Sequence, residues 1–101
     1  MAGVRILIQF KADSRELADK QMADLNERAK HSQGEKGCKQ FEVFRSIDNP
    51  QKWALVEHWE SQAALDEHRQ AAGGPPPQGP AGITREREIY EHTPAAWRCS
   101  S

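Results

Sequence analysis

Cysteine is scarce in this chain of 101 residues: there are two, Cys38 and Cys99, far apart in the sequence. So few and so separated, they cannot build a disulfide framework or a thiolate metal cluster, and both read as reduced thiols. Long apolar runs are missing too. Nothing approaches the roughly 20 residues that span a bilayer. The N-terminus lacks the charged leader, apolar stretch and small-residue cleavage site of a secretory signal. A cytoplasmic protein without membrane contact is the expectation. An excess of charge of one sign is likewise absent, since 14 Lys and Arg face 15 Asp and Glu for a net charge of −1. That balance gives no electrostatic ground for binding nucleic acid or an anionic membrane. Specific chemistries drop out in the same way. There is no His-x-x-x-His pair or paired-Cys spacing for a metal, and no Gly-x-Ser-x-Gly elbow for a nucleophilic serine. "GGPPPQGP" lacks the Lys-Ser/Thr of a phosphate loop and does not join a strand to a helix.

The sequence does hold alternating apolar segments with one clear helical stripe between them. At this length the chain is one domain with a modest core, so surface shared with a second copy would help it. In "VRILIQF" Val4, Ile6, Ile8 and Phe10 fall on one face and Arg5, Leu7 and Gln9 on the other, which predicts a strand. Asp13 with Glu16 three residues on has the form of a capping box. Ala18, Met22, Leu25 and Ala29 then make one apolar helical stripe, with Glu16/Lys20 and Asp24/Arg28 as i,i+4 pairs on its flank. Gly34 and Gly37 bracket the exit. "KQFEVFRSI" resumes the alternation, with Phe41, Val43 and Ile47 opposing Glu42 and Phe44. "DNPQ" (48–51) has turn chemistry, and "KWALVEHW" runs back, so 38–59 is an expected antiparallel hairpin. Ser61 can cap a short helix carrying Ala64, Leu65 and His68 on one side. The Pro/Gly-rich stretch 71–82 should be an irregular, mobile loop. "ITREREIY" alternates as a last strand, closing a domain over 1–92 that leaves 93–101 as a loose tail.

The resulting fold class is α+β, a ferredoxin-like βαββαβ order with a four-stranded antiparallel sheet and two helices on one face. Two helices cover one sheet face only, yet strands one and three carry apolar residues on both: Leu7 lies opposite Ile6 and Ile8, and Ala54 and Val56 lie opposite Trp53 and Leu55. A second copy of the same sheet packed face to face is the economical cover, so a homodimer is expected.

"GCKQFEVFRSIDNPQKWALVEHWESQAALDEH" (37–68) resembles the antibiotic-biosynthesis monooxygenase family. The resemblance lies in the ordered set Gly37, Cys38, Arg45, Ser46, Asp48, Pro50, Glu57, Trp59, Ser61, Ala64, Leu65 and His68. After His68, where the family usually continues with a Pro-His pair and further helix, this chain reads "RQAAGGPPPQGPAG". The resemblance implies a homodimeric α/β barrel with a small cavity between sheet and helices in each subunit. Members include oxygenases of quinols and anthrone-like polyketides as well as haem degraders. Many work with no flavin or metal, because an electron-rich substrate anion can react with O₂ itself. The implied reading is a cofactor-independent monooxygenase acting on a small quinol-like or polyketide aromatic and O₂. The alternative from another class is a non-catalytic dimeric barrel that binds a ligand or a protein.

Such oxygenation needs a base and a dry cavity to hold the substrate anion near O₂. His68 and His58 titrate near neutral pH and suit the first task. His68 lies on the Ala64/Leu65 side of the short helix and faces the sheet, so it is the expected base. Trp59, at the end of its strand, is the expected cavity wall. Gln9 sits roughly where haem-degrading relatives place a polar residue, and with His58 it is an expected substrate contact. Strand alternation puts His58 on the face opposite Glu57 and Trp59, so only one of those sets can line a given cavity. Arg45 and Glu57, on adjacent strands, are expected to pair across the hairpin.

Overall fold

The alternation in the first segment becomes strand β1, Gly3–Ala12, and the remaining elements follow in the expected order: α1 Arg15–Gln33, β2 Cys38–Arg45, β3 Lys52–Trp59, α2 Gln62–Ala71 and β4 Ile83–His92. These come from a computed structural model that describes residues 3–71 and 81–92. The strands form one sheet in the order β2-β3-β1-β4, and every neighbouring pair is antiparallel. This is the ferredoxin-like βαββαβ arrangement. The expectation of an irregular loop over 71–82 falls outside the described residues, except for Ala71, which ends α2, and Ala81 and Gly82, which form a turn before β4. The tail from Thr93 lies outside them too.

β1 is central, so its side chains meet cover earliest. Val4, Ile6 and Ile8 are buried with Ala29 of α1, Phe41 of β2, Leu55 and Trp59 of β3, and Leu65 of α2. A second cluster, Ala12, Ala18 and Trp53, lies towards the other end. Phe10, Leu25 and Val43 pack against both clusters, and Phe10 stacks on Trp53 with ring centroids 5.2 Å apart. Both helices cover this one face. The helical stripe behaves as its spacing requires, with Ala18 and Ala29 buried and Met22 and Leu25 half-buried.

Three local expectations change. Ser14, not Asp13, caps α1: it is extended, and its hydroxyl accepts from the Leu17 N–H at 3.1 Å. The Asp13 backbone is committed elsewhere, its N–H donating to Gly82 O and its carbonyl accepting from Gln51 Nε2, each at 2.9 Å. Ile47 does not continue β2. The strand ends at Arg45, and Ile47 is fully exposed in a turn that Ser46 and Asn49 hold by side-chain bonds to the Asn49 and Gln51 N–H groups. Finally, Arg45 and Glu57 do not pair. The register sets Arg45 against Trp53 and Glu57 against Phe41, and Arg45 instead binds the Asp19 carboxylate and the Pro50 carbonyl.

The other sheet face carries Leu7, Phe44, Ala54, Val56 and Tyr90. Phe44 is 48% and Tyr90 51% exposed, and no helix among the described residues covers them. A register shift between Cys38 and Gln40 leaves Cys38 opposite Trp59 and Gln40 opposite His58. That bulge turns Cys38 to the helix side while Gln40, two residues on, stays on the open side.

One glycine fixes how α2 meets the sheet. Gly37 has φ +82°, and a Cβ there would lie 2.6 Å from Ala64 Cβ, while its carbonyl accepts from the Glu60 N–H at 2.8 Å. Gly37→Ala should therefore lose roughly 2–4 kcal/mol through left-handed strain and overpacking together. Urea unfolding midpoints check this, and a loss below about 0.5 kcal/mol contradicts the packing described.

Candidate active site

The last three residues of β3, Glu57, His58 and Trp59, divide between the two faces. Glu57 and Trp59 point under the helices, and His58 points to the open face beside Arg5 and Gln40. The chain then turns at once. The Ser61 hydroxyl accepts from the Ala64 N–H at 3.2 Å and its carbonyl from the Leu65 N–H at 3.2 Å, so α2 begins directly behind Trp59. Leu65 and His68, three residues apart on one helical face, both turn inward, Leu65 buried and His68 half-buried.

This junction brings the His68 imidazole onto the Trp59 indole, with centroids 4.6 Å apart and planes inclined by 33°. Phe41 closes the group, 5.8 Å from His68 and edge-on to Trp59 at 6.4 Å. Two carboxylates complete it. Glu35, in the α1–β2 connection, places both oxygens 2.9 and 3.0 Å from His68 Nδ1. Glu57, only 6% exposed, accepts the Trp59 indole N–H at 2.9 Å.

Burial pushes the Glu57 carboxyl above the ordinary carboxylate range. The Trp59 N–H, then the charges of His68, Arg87 and Arg69, offset that only in part. Burial also pulls the Arg87 guanidinium down, helped by the positive charge of Arg69. Arg87 lies on the helix side of β4, opposite Ile8, so a basic flank adjoins the buried acid. Burial and the charges of Glu35 and Glu57 raise the Cys38 thiol, which keeps it protonated and a poor nucleophile. Among the described residues no group of three or more His, Cys, Asp or Glu could hold a metal ion. The arrangement sets an imidazole against two aromatic rings, with the Arg87 and Arg69 guanidinium groups on its flank.

Of the four residues singled out from the sequence, Trp59 and His68 are in contact. Gln9 and His58 lie on the opposite face, and Gln9 pairs with Ala54 towards the far end of β3. Gln9 borders a surface depression of about 360 Å³ that also touches Phe44, Arg45, Lys52 and Trp53. Sequence reasoning missed both carboxylates of the cluster. Glu57 had a signal, an acid at an inward position of an alternating strand. Glu35 had none, because only the folded α1–β2 connection carries it to His68.

The fold and this aromatic–imidazole–carboxylate cluster define a small α+β protein with its polar chemistry gathered at the β3–α2 junction. The family model described as antibiotic biosynthesis monooxygenase matches residues 1–73, and the chain belongs to that family. No curated protein matches it. Among solved structures, it is similar to a Deinococcus radiodurans protein described as a candidate antibiotic biosynthesis monooxygenase, at 22% identity over 93% of this chain and 97% of that one, with a TM-score of 0.71. Rv0793 from Mycobacterium tuberculosis shares 22% identity over 94% and 97% of the two chains at a TM-score of 0.66. The haem degrader MhuD from the same organism, solved with two haems in its active site, shares 16% over 93% and 99% at 0.64. At these identities the likeness establishes the fold.

The raised Glu57 carboxyl has a consequence for stability. A carboxyl that binds its proton more tightly folded than unfolded stabilises the fold at low pH. That contribution is lost as pH rises from the ordinary range near about 4.3 through the higher folded value. Glu57→Gln keeps an acceptor for the Trp59 N–H and removes the buried charge. The variant should match the parent near pH 4.5 and exceed it in melting temperature at pH 8. Thermal melts at both values check this, and a variant that loses stability as pH rises contradicts it.

Proposed function

We propose that this chain is a cytoplasmic, homodimeric monooxygenase that oxygenates a quinol-like or polyketide aromatic with O₂, without flavin or metal. The observation that supports the reading best is the His68 imidazole lying on Trp59 beneath α2. His68 takes the proton of a flat substrate, and the buried Trp59 backs the imidazole from inside the core. In an anthrone-like substrate, removal of one hydrogen of a ring CH₂ leaves a delocalised anion. Arg87 and Arg69 favour that charge. The anion passes one electron to O₂, and recombination forms a C–O bond to a peroxide, which is protonated from the imidazolium. Breaking the O–O bond with loss of the second hydrogen releases water and leaves a carbonyl. One oxygen atom enters product and one enters water, and the substrate supplies all four electrons.

The family fold and the open sheet face, with exposed Phe44 and Tyr90 beside half-buried Leu7 and Val56, support the dimer, in which two open faces meet and bury at least about 1,200 Å². Gln9 and His58, being on that face, are better placed to shape the interface than to touch a substrate at His68. Sedimentation should show a dimer at tens of micromolar, and a monomer there contradicts the proposed assembly.

Oxygen uptake with a panel of hydroquinones and anthrones, set against anaerobic controls, tests the activity. At least one substrate should consume O₂, and His68→Gln should lower turnover by roughly 10²-fold or more with the dimer intact. Turnover at the parent rate in His68→Gln makes the residue structural. No uptake with any substrate favours a binding protein.

A further inference from the structure

We infer that Glu35 is a positioning residue for His68, holding the imidazole with its proton on Nδ1 and its lone pair on Nε2. This rests on His68 being the base proposed above, and it adds a group from a different part of the chain.

The geometry is two-point. Both Glu35 oxygens lie at hydrogen-bond distance from the same ring nitrogen, at 2.9 and 3.0 Å. An ionised carboxylate only accepts, so Nδ1 must donate. In a neutral imidazole that leaves Nε2 as the unprotonated nitrogen, the one able to take a proton from substrate. The contact is also sheltered, with the two side chains only 17% and 24% exposed, so water competes weakly for either group.

The ring has little freedom to do otherwise. Trp59 lies against its face and Phe41 stands close by, which fixes the plane of the ring, and the bond to Glu35 chooses which edge faces it. Glu35 itself is set by the short connection between α1 and β2. Its N–H donates to the Ser32 carbonyl at 3.0 Å and its carbonyl accepts from the Cys38 N–H at 3.1 Å. The first αβ connection thus orients a group on the second helix. Glu57, though more deeply buried, binds the indole and not the imidazole, so the two acids have separate partners.

A plain latch between the α1–β2 connection and α2 would make the same contact without setting a tautomer. Nitrogen-15 spectra of the full chain separate the two roles, with His68 assigned by the resonance that His68→Gln removes. At a pH where the ring is neutral, the parent should show Nδ1 protonated and Nε2 unprotonated. Glu35→Ala should shift the population to the Nε2–H form that an unconstrained imidazole prefers. Glu35→Gln, which retains a carbonyl acceptor of the same reach, should keep the parent tautomer. With an active substrate, Glu35→Ala should lose on the order of 10–100-fold in turnover, as partners that orient an imidazole commonly do, and Glu35→Gln should recover most of it.

An Nε2–H parent, an imidazolium persisting at pH 8.5, or an unchanged tautomer in Glu35→Ala overturns the inference, and the first two need only the parent protein. Spectra are read without substrate, so the two failures differ. A wrong tautomer with an inactive His68→Gln removes Glu35 alone, whereas the expected tautomer with a fully active His68→Gln removes the base and Glu35's catalytic purpose with it.

Discussion

Burial of the Trp59 indole is the constraint around which the functional end of the molecule is arranged. Its side chain has no measurable exposure, so its N–H gains from an acceptor inside the protein. The acceptor is Glu57, two residues back on the same strand face. That choice draws a carboxyl into the core and raises its proton affinity. The other core indole shows what happens without such a partner: Trp53 Nε1 is buried with no hydrogen bond among the described residues, a situation that typically costs about 1–3 kcal/mol. In this strand the terminal tryptophan is satisfied by an acid carried inward two residues before it. The abrupt start of α2 at Gln62 then sets His68 against that indole.

A single sheet divides the polar side chains into two populations with different surroundings. Under the helices, Glu57, His68 and Glu35 sit beside Trp59 and Phe41, largely sheltered from water. On the open face, the Arg5 guanidinium donates to Gln40 Oε1 at 2.8 Å, and Gln40 donates on to Glu42 at 3.1 Å. That surface chain runs beside exposed Phe44 and half-buried Val56. The mixture suits a face that meets another protein surface, apolar at its centre and polar at its margin. The two-residue period of β1 and β3 separates the two environments, and no loop is needed to do so.

The fold was largely legible because its signals are periodic. The alternations in β1 and β3 and the stripe through Ala18 and Ala29 each report a buried face directly. β4 alternates as an edge strand with none of its described side chains buried, and the order of elements then leaves few topologies. Details that depend on competition were not. Asp13 and Ser14 both suit a helix cap, and the backbone bonds at Asp13 that decide between them run to Gln51 and Gly82. Ile47 fits the alternation of β2 on paper, but the turn takes over at Ser46. The same limit applied to the site. Contact between Trp59 and His68 followed from a strand end, a cap and helical spacing, all local in sequence. Glu35 comes from the far side of β2 and β3, and no local pattern could connect it to His68.

The central claim is that the site lies at His68, on the helix side of the sheet, and not on the open sheet face. The direct measurement is a proton–nitrogen chemical-shift map of the protein titrated anaerobically with an anthrone or hydroquinone. Trp53, at the opposite end of the same face, serves as an internal control. The expected result is movement of the Trp59 indole N–H and of amides around Phe41, Leu65 and His68, with the Trp53 indole unmoved. Shifts confined to Leu7, Phe44, Val56 and Tyr90, or to the Trp53 indole, would contradict it.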